Sequence, residues 1–338
     1  MNEDSERQDA AAGDSDDGEE EGLTYAEAGV DIEASEAATA ALVSQVEGVA
    51  GDYAGLLDLG DRYLALTTDG VGTKLLVAEA LDDYSTIGID CVAMNANDLV
   101  AAGIEPVAFV DYLAVEEPDE RWAEEVGEGL ARGCEQAGVE LVAGETAVMP
   151  EVIRGLDLAG TCAGLAPKGG TFDGEAQPGD TLVGFAASGI HSNGLTLARK
   201  AATREHEYDD PLPSNPDRTI GEELLEPTRI YSYLLEPLRE AEARAAAHVT
   251  GGGWTNLERM GAHRYEVTDP FPVPEIFGFI QDEGGVADEE MYRTFNMGMG
   301  FVAAVPPETA VDLADCEHGR IVGRVEEGSG VAVRGLEL

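Results

Sequence analysis

From residue 62 onward, short apolar runs alternate with longer amphipathic ones, and this alternation restricts the fold more than any other property of the chain. Residues 63–67 read as a strand, 87–102 as a helix, 106–115 as a strand, 119–137 as a helix, and 139–143 and 156–165 as strands. The second half continues in the same style, with strands at 181–187, 246–250, 297–305 and 321–325 and helices at 195–202, 229–247 and from 254 to 260. Such an order predicts an α/β (α+β) fold of layered sheets covered by helices. At 338 residues the chain exceeds what one core usually serves, so two domains of roughly 150 residues are expected. They should span 23–166 and 180–338, with a linker over 167–179 where glycine and proline cluster. An alanine-rich helix is expected at 34–46, and residues 1–22 read as a disordered acidic leader.

Charge narrows the partners. The 68 acidic residues outweigh 20 basic ones and give a formal net charge of −48. A field of that sign repels phosphate backbones and anionic lipid, so nucleic-acid and membrane binding are not expected. No apolar run approaches the ~18 residues of a membrane span, and the acidic start is unlike a signal peptide, so a cytoplasmic protein is expected. Self-repulsion on this scale is tolerable at molar salt, where the Debye length is only ~3 Å, which predicts a salt-rich, halophilic setting. The four cysteines, Cys91, Cys134, Cys162 and Cys316, have no metal-ligand spacing and read as reduced thiols. Only three of the basic residues are lysines, Lys74, Lys168 and Lys200, and one of these directly follows an Asp-Gly-Val-Gly-Thr turn.

Three glycine-rich turns follow strand-like runs, a placement that lets backbone N–H groups approach an anion. They are Thr68-Asp-Gly-Val-Gly-Thr-Lys74, Ser188-Gly-Ile-His-Ser-Asn-Gly194 and Thr250-Gly-Gly-Gly-Trp254. The first combines Asp69, Gly70, Gly72, Thr73 and Lys74, the groups needed to hold a metal-bridged polyphosphate. It is not a Walker loop, since GxxxxGK[ST] occurs nowhere. On the helix at 87–102, Asp90 and Asn97 lie two turns apart on one face, and these with Asp98 can offer oxygen ligands to Mg²⁺. Glu145 follows a strand and is a further acid of the same kind. His191, among small and polar neighbours, can donate to a phosphate or shuttle a proton. Each has a structural alternative: a tight turn with a surface lysine for the first loop, caps and solvated faces for the acids and amides, a helix cap for His191.

The blocks TTDGVGTK, IGIDCVAMNANDLV, GIEPVAFVDYLA, VAGETAVMP, SGIHSNG, EPTRIY, HVTGGGWTNLERM and MYRTFNMGMG, in that order between residues 23 and 325, resemble the phosphoribosylformylglycinamidine cyclo-ligase (aminoimidazole ribonucleotide synthetase) family. The resemblance implies an ATP-dependent ring closure in purine biosynthesis. The amide oxygen of formylglycinamidine ribonucleotide is phosphorylated, a neighbouring nitrogen attacks the activated carbon, and ADP and phosphate leave. It also implies a homodimer whose N-terminal sheets pack together. Carried onto this sequence, it assigns metal to Asp69, Asp98 and Glu145, and ATP to Asp69, Gly70, Gly72, Thr73, Lys74 and Asn97. Substrate falls to Ser192, Asn193, Gly194, Gly251, Gly252 and Gly253, and catalysis to Lys74 and His191.

Three departures from the family pattern are visible. Residues 47–61 are short where many members carry a longer Gly-Gly-Phe-Gly segment, Ala143 replaces a glycine, and the stretch around Trp254 is one residue shorter than in bacterial members. The alternatives are a related ATP-dependent enzyme, such as formylglycinamidine ribonucleotide synthetase, and a non-catalytic nucleotide-binding scaffold. The synthetase subunit is usually much longer, and a scaffold predicts loss of the acids or of Lys74, all of which are present.

Overall fold

The computed structural model describes residues 22–26, 28–29, 32–44, 53–172 and 175–338, so the acidic leader expected at 1–22 lies outside the described residues except for Gly22. A first helix, α1 (Ile32–Val43), precedes five strands. These are β1 (Gly55–Asp58), β2 (Arg62–Gly70), β3 (Glu105–Val115), β4 (Glu140–Val148) and β5 (Leu156–Pro167). They form one sheet in the order β1-β2-β5-β3-β4, antiparallel throughout except for the parallel pair of β3 and β4.

The strands alternate as half-buried strands should. Ala65 and Thr67 of β2 face inward, as do Leu158 and Cys162 of β5, and Leu66, between them, is exposed on the outer face. The inner face is covered by α3 (Ile87–Ala101), in which every residue but Asp98 is buried. A helix enclosed on nearly all sides must be apolar or have its polar groups paired, and α3 combines apolar residues with Asp90, Asn95 and Asn97, whose side chains are hydrogen-bonded. Its outer side packs on α4 (Glu120–Ala137) through Gly88, Gly129 and Gly133. A Cβ on Gly88 would stand 2.2 Å from the Leu130 amide nitrogen, so the close crossing requires glycine there. Between β2 and α3 lies α2 (Leu75–Leu81).

The second half holds a seven-stranded sheet. Its strands are β6 (Thr181–Ala186), β9 (Ala245–His248), β10 (Arg264–Val267), β11 (Met299–Val305), β12 (Gly319–Glu326), β13 (Gly330–Val333) and β14 (Leu336–Glu337), and a separate hairpin pairs β7 (Pro211–Leu212) with β8 (Asn215–Thr219). The order is β14-β13-β10-β12-β6-β11-β9. All seven residues of β11 are buried, which a strand covered on both faces requires. Phe301 and Ala303 pack on one side with Leu238 of α7 (Leu235–Glu240) and Leu313 of α10 (Ala310–Ala314). The other helices of this half are α5 (Leu195–Ala202), α6 (Ile220–Leu224), α8 (Glu275–Gly284) and α9 (Asp288–Thr294), whose buried residues join the cluster that includes Val302 and Ala304. One continuous apolar cluster runs through both halves.

Several boundaries differ from expectation. The strand expected at 139–143 runs on to Val148, which puts Glu145 inside it. The helix expected at 229–247 is confined to a 3-10 turn, Ser232–Leu234, and α7. Residues 226–231 are instead non-helical: Pro227 disfavours helix for Glu226, and their backbone groups are satisfied by side chains of α3. The helix expected from 254 is a 3-10 helix, Gly253–Met260.

Candidate functional site

The first glycine turn leaves the end of β2. Asp69 caps its own turn by accepting from the Gly70 amide at 2.7 Å. Val71 is buried, and its amide donates to the Leu158 carbonyl at 3.0 Å. Gly72 has φ +70°, where a side chain is unfavourable, and starts the 3-10 turn Gly72–Lys74 that runs into α2. Asn95 of α3 donates to the Asp69 carbonyl at 3.2 Å, which anchors the turn over that helix. Asp69 itself is exposed at its tip but crowded by protein, and its carboxyl is pushed up from the usual range, first by desolvation and then by the neighbouring negative charge of Asp98.

Asp98 is the residue through which α3 reaches this region. Its Oδ1 lies 2.9 Å from Nδ1 of His248, at the end of β9. The Asn97 amide group donates to His248 Nε2 at 3.3 Å, so Nε2 is the acceptor and Nδ1 is left to donate to Asp98. His248 is fully buried. The ring is thus held in one tautomer and one orientation behind an accessible carboxylate, an arrangement that fixes a ligand or a proton path.

The second turn, between β6 and α5, is held from behind. Asn296 donates to the Gly189 and Ile190 carbonyls at 2.9 and 3.0 Å. His191 sits at φ +68°, and its Nε2 accepts from the Ser188 amide at 3.2 Å. Its Nδ1 is buried without a hydrogen-bond partner among the described residues, and burial pushes the imidazole well below its ordinary range, so the ring is neutral. Gly194, at φ +73°, starts α5, and a Cβ there would stand 2.4 Å from the Phe295 ring.

The three turns converge. The Thr73 and Thr196 hydroxyls are 2.9 Å apart, which joins the first turn to the start of α5. Asn193 donates to Met94 Sδ at 3.6 Å, and a Cβ on Gly251 would stand 3.5 Å from Asn193 Oδ1, which joins the second turn to α3 and to the third. Gly253 has φ +53° and lies so close to the Tyr292 carbonyl that a Cβ would be 2.2 Å away.

Not every expected residue faces this space. Lys74 has no exposed surface, and its ammonium turns inward, 2.9 Å from Asp90 and 2.6 Å from the Glu226 carbonyl. In this arrangement it is not free to reach a phosphate. Asn97 is likewise engaged on every side: its amide group donates to the Arg229 carbonyl at 2.9 Å as well as to His248, and its oxygen accepts from the Tyr231 amide at 2.8 Å. Asp90 accepts from Thr228 instead of offering oxygens outward.

Glu145 does not join Asp69 and Asp98 within one chain. Asp69, Gly160, Asp111 and Gly144 share one rung of the sheet, and Glu145 belongs to the next, opposite Tyr112. It therefore points to the outer face, three strands and roughly 14 Å from β2. Among the described residues no three His, Cys, Asp or Glu side chains form a group able to hold a metal.

His248 was not legible as a site residue. Its role is revealed only by Asp98, which lies 150 residues earlier. The one signal in the sequence was its position three residues before the Gly251–Gly253 turn.

Residues 51–166 match the family described as AIR synthase related protein, N-terminal domain, and residues 177–335 match its C-terminal domain. The phosphoribosylformylglycinamidine cyclo-ligase of Methanosarcina acetivorans is 47% identical over 329 residues, covering 94% of this chain and 98% of the relative. That of Thermococcus kodakarensis is 46% identical over 340 residues, covering 94% and 100%. The solved structure of thiamine monophosphate kinase from Aquifex aeolicus superposes with a TM-score of 0.65 over 91% of this chain and 99% of that one, and at 19% identity it speaks for the fold alone. With both halves matched in order and such relatives aligned over nearly the whole chain, the protein is an enzyme that belongs to the phosphoribosylformylglycinamidine cyclo-ligases of the AIR synthase family.

Proposed function

We propose that the enzyme closes the imidazole ring of aminoimidazole ribonucleotide from formylglycinamidine ribonucleotide at the expense of ATP. The observation that carries this reading is the convergence of three glycine-rich turns from two halves of the chain around Asp69, Asp98 and His248. Two phosphate-bearing molecules need two sets of backbone donors facing each other, and one turn alone would hold only one. In this reading the first turn, through Gly70, Gly72 and Thr73, receives the triphosphate. Ser192, Asn193 and Gly194, with the Gly251–Gly253 turn, receive the substrate phosphate and the amide.

The reaction moves the γ-phosphoryl group of ATP to the amide oxygen of the substrate. The adjacent nitrogen then bonds to that carbon, the C–O bond breaks, and phosphate departs with the oxygen. No protein nucleophile is needed, and the chain contributes alignment and charge placement. His248 holds Asp98 at a fixed angle, and the neutral His191 carries an Nδ1 proton that has no acceptor among the described residues.

Asp69 and Asp98 fit a magnesium ion. Desolvation, with a smaller contribution from the Asp98 charge, already raises the Asp69 carboxyl, and Mg²⁺ is ordinarily held by one or two carboxylates together with phosphates and water. When bound, Mg²⁺ supplies charge neutralisation to the triphosphate. Glu145, on the far face, is left out of this set.

We also infer a homodimer through the outer face of the first sheet, where Leu57, Leu66 and Tyr112 are exposed. An apolar sheet face of that extent marks an interaction surface. No described helix is long and apolar enough to cross a membrane, and the proposed location is the cytoplasm.

The test is turnover by the purified protein with ATP, Mg²⁺, KCl and formylglycinamidine ribonucleotide. One ADP should appear for each aminoimidazole product. ADP release that instead requires the formylated amide precursor with glutamine or ammonia would assign the chain to the preceding step.

A further inference from the structure

The two halves meet along one face of α3, where side chains of the first half bind backbone of the second. Asp90 accepts from the Thr228 amide at 2.7 Å and from its hydroxyl at 2.6 Å. Two turns later, Asn97 binds the Arg229 carbonyl and the Tyr231 amide. Residues 226–231 thus form a strap held to α3 at two points.

Lys74, the last residue of the first turn, enters the same joint. Its ammonium is within 2.9 Å of Asp90 and donates to the Glu226 carbonyl at 2.6 Å, and neither Lys74 nor Asp90 exposes any side-chain surface. The strap in turn holds the second turn, because the Ser188 hydroxyl donates to the Pro227 carbonyl at 2.6 Å and the Thr228 hydroxyl lies 3.5 Å from that of Ser192. One connected set of polar contacts therefore runs from the 69–74 turn, through Lys74, Asp90 and the strap, to the 188–194 turn.

A buried ion pair adds little net stability, but it tolerates few geometries, because any displacement leaves a charge dry and unpaired. We propose that Lys74 is a positioning residue which sets the spacing between the two turns, acting through Asp90 and the strap without touching a phosphate. This rests on the roles given above to the two turns, and the experiment separates the two claims.

The full-length wild type is compared with Lys74→Met, Asp90→Asn, the double variant and Thr228→Val, by steady-state kinetics, by calorimetric binding of Mg·ADP and by ligand-free hydrogen exchange over residues 226–231. Lys74→Met and Asp90→Asn should each lower kcat by about 100-fold, as misplacement by an ångström does. Because both cut the same tether, the double variant should be no worse than the poorer single one. Exchange in the strap should quicken in both. Thr228→Val keeps the ion pair and serves if the charge variants fail to fold; its kcat should drop by about tenfold.

The proposal is overturned if Lys74→Met weakens Mg·ADP binding while Asp90→Asn does not, if the two effects multiply, if strap exchange is unchanged, or if Thr228→Val turns over at the wild-type rate. Should the wild type fail to cyclise the substrate at all, the functional reading falls, and the exchange data still decide whether Lys74 governs the joint.

Discussion

Asp98 is the only residue of α3 that escapes burial, and its carboxylate is held by a buried histidine, so its geometry is set before any ligand arrives. Asp98→Asn keeps the shape and removes the charge. The magnesium concentration for half-maximal turnover should rise by about 10- to 100-fold, and an unchanged titration would remove Asp98 from the metal site.

His191 gives a second prediction at this scale. Burial holds its folded-state pKa well below the ordinary imidazole range. The unfolded chain therefore binds the proton more readily, and the stability contributed by the neutral ring is present above pH ~6.5 and lost as pH falls. In urea unfolding, the stability difference between wild type and His191→Gln should shift by about 1.4 kcal/mol against the wild type between pH ~7.5 and pH ~5.5. A difference that stays constant would show that the ring is not buried neutral.

At this scale the sequence was legible where a residue acts through its own turn, as with Asp69, Gly72 and Gly194. It was opaque where partners come from elsewhere. Lys74 looked like a free cation because Asp90 and Glu226, 16 and 152 residues away, do not announce themselves along the chain. His248 is hidden for the same reason, since its partner Asp98 lies 150 residues away.

Among the elements, α3 carries most of the organisation, lying under the first sheet, against α4 and along the strap. Its contact with α4 depends on glycine. Gly88→Val should destabilise the protein by about 3 kcal/mol, because the added carbon meets the α4 backbone, which cannot rotate aside. Gly127, in the same helix α4 with nothing within 4 Å of a Cβ, is the control. Gly127→Ala should stabilise by about 0.5–1 kcal/mol through helix propensity, and denaturant titration reads both. Equal effects would mean that the crossing is looser than described.

Most strands and helices of the first half were legible from periodicity, because half-buried strands and amphipathic helices repeat with different periods. The strap was not. Residues 229–231 carry enough apolar side chains to read as the start of a helix, and only the Asp90 and Asn97 side chains, which take the place of helical hydrogen bonds along the strap, show why they are not.

For the whole molecule, charge and the open sheet face make the predictions. With a net charge of −48, raising KCl from about 0.1 M to about 2 M should raise the midpoint of thermal unfolding by screening self-repulsion. Greater stability in dilute buffer would refute a salt-adapted surface. Leu66→Lys places a charge on the outer face of the first sheet without touching the inner one. The wild type should sediment as a dimer and the variant as a monomer, and an unchanged sedimentation coefficient would place the interface elsewhere.

The most direct measurement is a crystal structure with Mg²⁺ and a non-hydrolysable ATP analogue. The triphosphate should lie over Gly70, Gly72 and Thr73, the metal on Asp69 and Asp98, and Lys74 should remain paired with Asp90. A nucleotide seated away from that turn, or a Lys74 ammonium swung out onto a phosphate oxygen, would contradict this arrangement.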